Sequence, residues 1–202
     1  MRELSHICTI QMGYTARGRL DPAEHGNVLA LQLRDIDSMG EISADTLTPI
    51  FIDPAPEKYF VSCGDVVFRS RGERTTAAVV HSFFSMPVLA ILPLVILRPN
   101  PQRLSGAYLA WAINQESAQR HFDEKAQGTS LRMVSRSTLE DLMIAVPDLE
   151  TQQKILETDA LAEQERLLAE QLIVKRHTLI HRLLGECARQ HTLTTGMERI
   201  PQ

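Results

Sequence analysis

Long apolar runs are what this sequence most plainly lacks. The longest, Pro87 to Leu97, is interrupted at Pro93 and falls well short of the roughly 20 apolar residues that a membrane-spanning helix needs. Met1-Arg2-Glu3 opens no secretory signal, so a cytoplasmic location is expected. Cysteine is scarce. Cys8, Cys63 and Cys187 stand far apart and form neither a Cys-x-x-Cys pair nor a disulfide framework, which fits a reducing compartment. A surplus of positive charge is missing too: 21 Lys+Arg face 25 Asp+Glu, a net charge of −4, which argues against nucleic-acid binding by bulk charge alone. Specific binding stays open, because arginines can gather locally on an otherwise acidic surface. No Ser/His/Asp or Cys/His arrangement has a defensible spacing, so no catalytic residue is assigned. The 202 residues suit one domain, or one domain with an appendage.

What is present changes character along the chain. From Ile7 to Phe84 short apolar runs are cut by turn residues, and Val28-Leu29-Ala30-Leu31, Ile50-Phe51-Ile52 and Val66-Val67-Phe68 predict strands. The Pro87 to Leu97 run predicts a buried strand pair, or a strand with a bulge. Asp53-Pro54-Ala55-Pro56 and Arg98-Pro99-Asn100-Pro101 predict loops, since the residue before each proline is pushed out of helical geometry. Between Ser105 and Gln127 the period lengthens: Leu109, Ala112, Ile113 and Phe122 recur at helical spacing and predict one amphipathic helix capped by Ser105. Ser137 with Glu140 has the form of a capping box that starts a short helix. Leu142, Ile144 and Val146 then alternate as a short strand, which Pro147 ends because it has no amide for a ladder. Asp148 is placed to cap the next helix, with Glu150 in the first turn where the dipole favours negative charge.

That next helix is long. Neither glycine nor proline interrupts residues 149–184, and Leu161, Leu168, Leu172, Leu179 and Leu183 form a stripe at spacings of seven, four, seven and four. Continuous from Asp148 to Gln190, the helix would extend about 65 Å at a rise of about 1.5 Å per residue. A small domain cannot cover such a stripe; it calls for a second helix. The eleven-residue recurrence of Leu161, Leu172 and Leu183 drifts from a strict heptad, so any coil should be weakly supercoiled. Residues 191–202 read as a disordered tail. The predicted fold class is α+β: a twisted, mostly antiparallel sheet with short helices over residues 1–147, followed by one long C-terminal helix over 148–190.

Four motifs in order resemble the specificity (S) subunit of type I restriction–modification enzymes. They are Gly13-Tyr14-Thr15 with Arg17; the Val28 to Asp35 strand ending in Gln32-Leu33-Arg34-Asp35; Gly64-Asp65-Val66-Val67-Phe68 with Gly72; and Gly128-Thr129 followed by the run from Ile144 to Gln152. Ala16 departs from a frequent proline, and Asp148 from the second proline of the usual pair before the helix. The resemblance implies a non-catalytic subunit with a DNA target-recognition domain and a spacer helix. Such subunits usually carry two of each, and this chain has room for one, so it looks like a half-subunit. A partner adenine methyltransferase would then carry S-adenosylmethionine, with a restriction subunit as a further partner. A second copy or another S-like chain would pair through the long helix. Antiparallel pairing implies a palindromic site for a homodimer and an asymmetric one for a heterodimer. The competing expectation is an S-like protein-interaction or regulatory module that binds no DNA.

On the residues themselves, Arg69-Ser70-Arg71-Gly72-Glu73-Arg74-Thr75-Thr76 follows a predicted strand and combines arginine forks with hydroxyls, which suits guanine edges and phosphates. A solvated turn with ion pairs to Glu73 is the plain alternative. Arg17 and Arg19 around Gly18 make a second basic loop, and Arg132 and Arg136 flank Gly128-Thr129. The expected DNA contacts are Arg17, Arg19, Arg69, Ser70, Arg71, Arg74, Thr75, Thr129 and Arg132. Gln152, expected exposed in the helix's first turn, is assigned with Leu161, Leu168, Leu172, Leu179 and Leu183 to the partner surface. Arg34, beside Asp35 and Asp37, reads as structurally paired. His177 and His181 can face a common metal but lack a third ligand, and read as a solvated face. Asp53-Pro54-Ala55-Pro56 and Asp123-Glu124-Lys125 are fragments of methyltransferase and nuclease motifs without their partners, so neither activity is expected in this chain.

Overall fold

The computed structural model describes residues 1–16, 18–37, 40–72, 75–81, 84–125 and 133–196, with side chains described to residue 189. Among the described residues ten strands follow in order: β1 (Arg2–Glu3), β2 (Cys8–Met12), β3 (Val28–Leu31), β4 (Thr48–Ile50), β5 (Phe60–Val61), β6 (Val66–Arg69), β7 (Ala77–Val79), β8 (Val88–Ala90), β9 (Leu94–Pro99) and β10 (Met143–Ile144). The helices are α1 (Gly106–Asn114), α2 (Glu116–Lys125), α3 (Arg136–Glu140) and α4 (Leu149–Gly196). One four-stranded sheet runs β2-β9-β6-β7, all antiparallel, and the other runs β4-β3-β8-β5, with β3 and β8 parallel. β1 and β10 pair separately. The fold is α+β and mostly antiparallel.

Alternation along the strands builds the layers. In β6, Val66 and Phe68 face a core with Leu109, Ile113 and Phe122 from α1 and α2, while Val67 faces the second sheet. In β9, Val95 and Leu97 join the helical layer while Leu94 and Ile96 meet Leu31, Val88 and Ala90. Because the first sheet is covered on both faces, its strands read as continuous apolar runs rather than alternating ones. Phe68 and Phe122, both fully buried with ring centroids 5.2 Å apart, each contribute about 1.5–3 kcal/mol of burial. Gly106 lets α1 start against the chain before β6: a Cβ there would sit 2.2 Å from the Gly64 carbonyl oxygen.

Several local expectations are corrected. β3 ends at Leu31, and Leu33–Asp35 is a 3-10 turn held by the buried Asp35 carboxylate, which accepts from the Gln32 amide at 2.7 Å. β4 ends at Ile50, leaving Phe51 65% exposed, because the Asn27 amide clamps both backbone groups of Ile52 beyond it. The expected single helix over 105–127 is two, broken at Gln115, where Asn114 diverts its side chain to the backbone N–H and C=O of Ala77 in β7. Ser105 does cap α1, accepting from the Tyr108 amide at 3.0 Å. The α3 cap is Ser135 rather than Ser137: Ser135 Oγ accepts from the Thr138 amide, and Glu140 pairs with Arg136 instead of reaching back. Asp148 caps α4, accepting from the Thr151 amide at 2.8 Å, which holds its carboxyl below the usual carboxylate range.

α4 is one helix of 48 residues, continuing to Gly196 rather than ending at Gln190. The chain divides into two units, Met1–Leu156 and Glu157–Gln202. The first therefore takes in two turns of α4 past Pro147, since Ile155 and Leu156 pack on the helical core layer. Among the described residues, no helix is long and apolar enough to cross a membrane.

Candidate nucleic-acid interface

The loop after β6 is shaped by its backbone. Gly72, at φ +137°, occupies a region that side-chain-bearing residues avoid, and it turns the chain just beyond Arg71. The amide of Val134 donates to the Ser70 carbonyl at 2.8 Å, and Arg71 forms an antiparallel bridge with Met133. This stitch joins the arginine loop to the segment that leads from Met133 into α3. Arg71 is exposed, and so is Met133 at 48%. An arginine fork beside an apolar side chain can read a guanine edge and a thymine methyl group.

The neighbours of Arg71 mostly turn inward. Arg69 donates from Nη1 to the Ile36 carbonyl at 3.1 Å, and its buried Nε finds no acceptor among the described residues. Ser70, 3% exposed, donates to the Pro93 carbonyl. Thr75, 8% exposed, donates to Gln119 in α2 at 3.0 Å. The donors of these three are engaged within the domain and fix the loop against its neighbours, where the sequence pattern predicts contact with DNA. The cause is tertiary: each finds an acceptor on another element, which a local hydrophilic run does not announce. Arg19 is exposed and pairs with Asp21 at 3.1 Å, an exposed ion pair of the kind that contributes little stability. Arg17, Arg74, Thr129 and Arg132 lie outside the described residues.

Arg34 is tied to Thr48 at 2.9 Å and to Asp35 at 3.7 Å. Arg98 donates to the carbonyls of Lys58 and Phe60 and pairs with Asp65 at 3.4 Å. Burial pushes the Asp65 carboxyl up, against the Ser62 amide and Arg98, which pull it down. Burial also pushes the Cys8 thiol up to about 12, so it is not a poised nucleophile.

Gln152 is 1% exposed, which overturns its expected place on an open surface. Its Oε1 accepts from the Ser105 amide at 2.9 Å, and its Nε2 donates to the carbonyls of Arg103 and Pro147, each at 2.8 Å. One side chain thus fastens the start of α4 to the start of α1. Gln152→Ala would leave the Ser105 amide and the Arg103 and Pro147 carbonyls without this buried side chain as partner, so a stability loss of about 1–3 kcal/mol is expected. Thermal unfolding with the Leu168 face unchanged checks this: an unaltered midpoint would assign the bonds no weight. Beside the junction, a cleft of about 600 Å³ opens between Arg2, His6, Arg103, Val146 and Leu149.

On the second unit Leu161, Leu168, Leu172, Leu179 and Leu183 are all at least half exposed. Sequence reasoning missed that Ile173, Ile180 and Leu184 repeat the same seven-and-four spacing beside them and are equally open. The signal was present, one residue on from the leucines.

No protein-family model matches the sequence, and no curated protein matches it. Solved structures do. An HsdS subunit from Thermoanaerobacter tengcongensis aligns over 81% of this chain at 20% identity with a TM-score of 0.57. The S subunit of a type I restriction–modification system from M. genitalium aligns over 81% at 15% identity and 0.53. A chain from a structure of complex assembly in a type I restriction–modification system aligns over 90% at 19% identity and 0.59. The fold is that of a type I S subunit. The chain spans 36%, 38% and 42% of those three chains, so its S-like fold amounts to less than half of each.

Proposed function

We propose that this chain is a non-catalytic, sequence-specific DNA-recognition subunit of a type I-like restriction–modification system, in half-subunit form. The observation that carries the reading is the coincidence of an S-subunit fold with four S-like motifs in order along the same chain. Arg71 is the leading base-reading candidate, exposed on a loop stitched to the chain around Met133, and Arg17, Arg74, Thr129 and Arg132 complete the set on sequence grounds. Arg69, Ser70 and Thr75 fix the loop's shape. The methyl donor, S-adenosylmethionine, belongs to a partner adenine methyltransferase, and a restriction subunit is a further partner. The methyltransferase surface comprises the exposed side of the junction, including the cleft at Arg2 and Arg103, rather than Gln152 itself. The exposed leucines of α4 pair with a second copy or another S-like chain. A cytoplasmic location follows from that role.

The second reading, an S-like module without DNA contact, is favoured by the net charge of −4 and by the inward turn of three expected contacts. Titration of the protein with its methyltransferase against cognate duplex at several salt concentrations separates the two. Affinity falling linearly in the logarithm of salt marks released counterions and supports DNA recognition; a flat response at every duplex supports the second reading.

A further inference from the structure

His177 and His181 are one turn apart on α4, within the second unit. Their rings face each other, with centroids 4.3 Å apart and the two Nε2 atoms 3.0 Å apart. With metal–nitrogen bonds of about 2.0–2.1 Å and bond angles between about 90° and 110°, two imidazoles chelating one cation hold their nitrogens about 2.9–3.4 Å apart. The side chains therefore already sit at chelating distance. In the free protein that separation is a hydrogen bond, with one ring carrying its proton on Nε2; a cation replaces that proton between two lone pairs.

The surroundings permit it. At about 100° per residue, Lys175, Arg176 and Arg182 project about 120° or more away from the middle of the histidine face. The leucine stripe of Leu161, Leu172 and Leu179 lies about opposite the histidines by the same geometry, while Ile173, Ile180 and Leu184 flank them at about 40–80°. Both histidines are exposed. Among the described residues no group of three or more His, Cys, Asp or Glu completes a closed metal cage, so one chain supplies two ligands and leaves the remaining positions to water or to another molecule.

We propose that His177 and His181 form an open, bidentate site for a late first-row divalent cation of the Zn2+ class, on the face of α4 opposite Leu161, Leu172 and Leu179. Neutral imidazole donors suit Zn2+, Ni2+ and Cu2+, and they exclude Mg2+ and Ca2+, which take oxygen ligands.

The test is calorimetric titration of the untagged full chain with Zn2+, alongside Cu2+ electron paramagnetic resonance, in wild type, His177→Ala, His181→Ala and His121→Ala. One cation per chain is expected, with two-nitrogen coupling in the Cu2+ spectrum. Either α4 variant should weaken binding at least about tenfold, because the second ligand of a chelate binds intramolecularly. His121, whose ring bonds the Thr138 carbonyl, serves as the control and should change nothing. Binding in His177→Ala and His181→Ala as strong as in wild type, or no cation bound at micromolar protein, overturns the site. Mg2+ competing for it would do the same. Circular dichroism of each variant shows that α4 remains folded.

Discussion

Replacing Leu168 and Leu172 together by glutamate is expected to leave the protein monomeric at concentrations where the wild type associates. Both leucines are more than half exposed in the single chain, and a stripe of this length is costly to leave in water. Burying one leucine side chain is worth about 1.5–3 kcal/mol, and the double variant removes two from each copy while placing unpaired charges in the seam. The dissociation constant should therefore rise by at least about a thousandfold, since each 1.4 kcal/mol is about tenfold. Sedimentation equilibrium of the two proteins side by side reads it out. The second apolar row, Ile173, Ile180 and Leu184, makes a finer comparison, since charges placed there should disturb whichever partner covers that side. A wild type that stays monomeric at high concentration, with the methyltransferase present, would remove symmetric pairing from the proposal.

The second large effect concerns DNA. Arg71→Ala is expected to weaken binding to the cognate duplex by about 5- to 150-fold, the equivalent of about 1–3 kcal/mol for one lost bidentate base contact, without moving the unfolding midpoint. Arg74→Ala is expected to act in the same direction from the same loop. Arg69→Ala should behave differently, because Arg69 is tied to the Ile36 carbonyl, just past the 3-10 turn that follows β3. Its loss should lower stability and weaken DNA binding only as far as the loop loses its shape. Fluorescence titration beside thermal unfolding distinguishes a reading residue from a shaping one. Equal affinity and equal selectivity in Arg71→Ala and Arg74→Ala would move base contact elsewhere on the domain.

The contrast between Arg71 and Arg69 also shows how far the sequence could be read. Patterns that are periodic and local survived: Val28 to Leu31 and Val66 to Phe68 are strands, the Pro87 to Leu97 run is two strands parted near Pro93, and the uninterrupted stretch after Pro147 is one helix. The competition among neighbouring hydroxyls was less legible. Ser135 rather than Ser137 takes the cap, because the first amide to need an acceptor lies at Thr138, three residues on from Ser135. Long-range bonds left no local trace. Gln152 reaches Ser105 and Arg103 across nearly fifty residues, Asn114 reaches Ala77 across thirty-seven, and Arg98 reaches Lys58 and Phe60. An exposed glutamine in a first helical turn and a buried one that fastens two helix starts have the same sequence environment.

DNA recognition itself is tested most directly by what the assembled enzyme modifies. The chain should be co-expressed with the adenine methyltransferase proposed as its partner in cells lacking other methylation, and the methylated bases located by sequencing. One recurrent motif is expected, two inverted half-sites around an unread spacer, fully methylated with the wild-type chain and lost or relaxed with Arg71→Ala. Methylation that proceeds without this chain, or a motif unchanged by its removal, would contradict a role in choosing the DNA sequence.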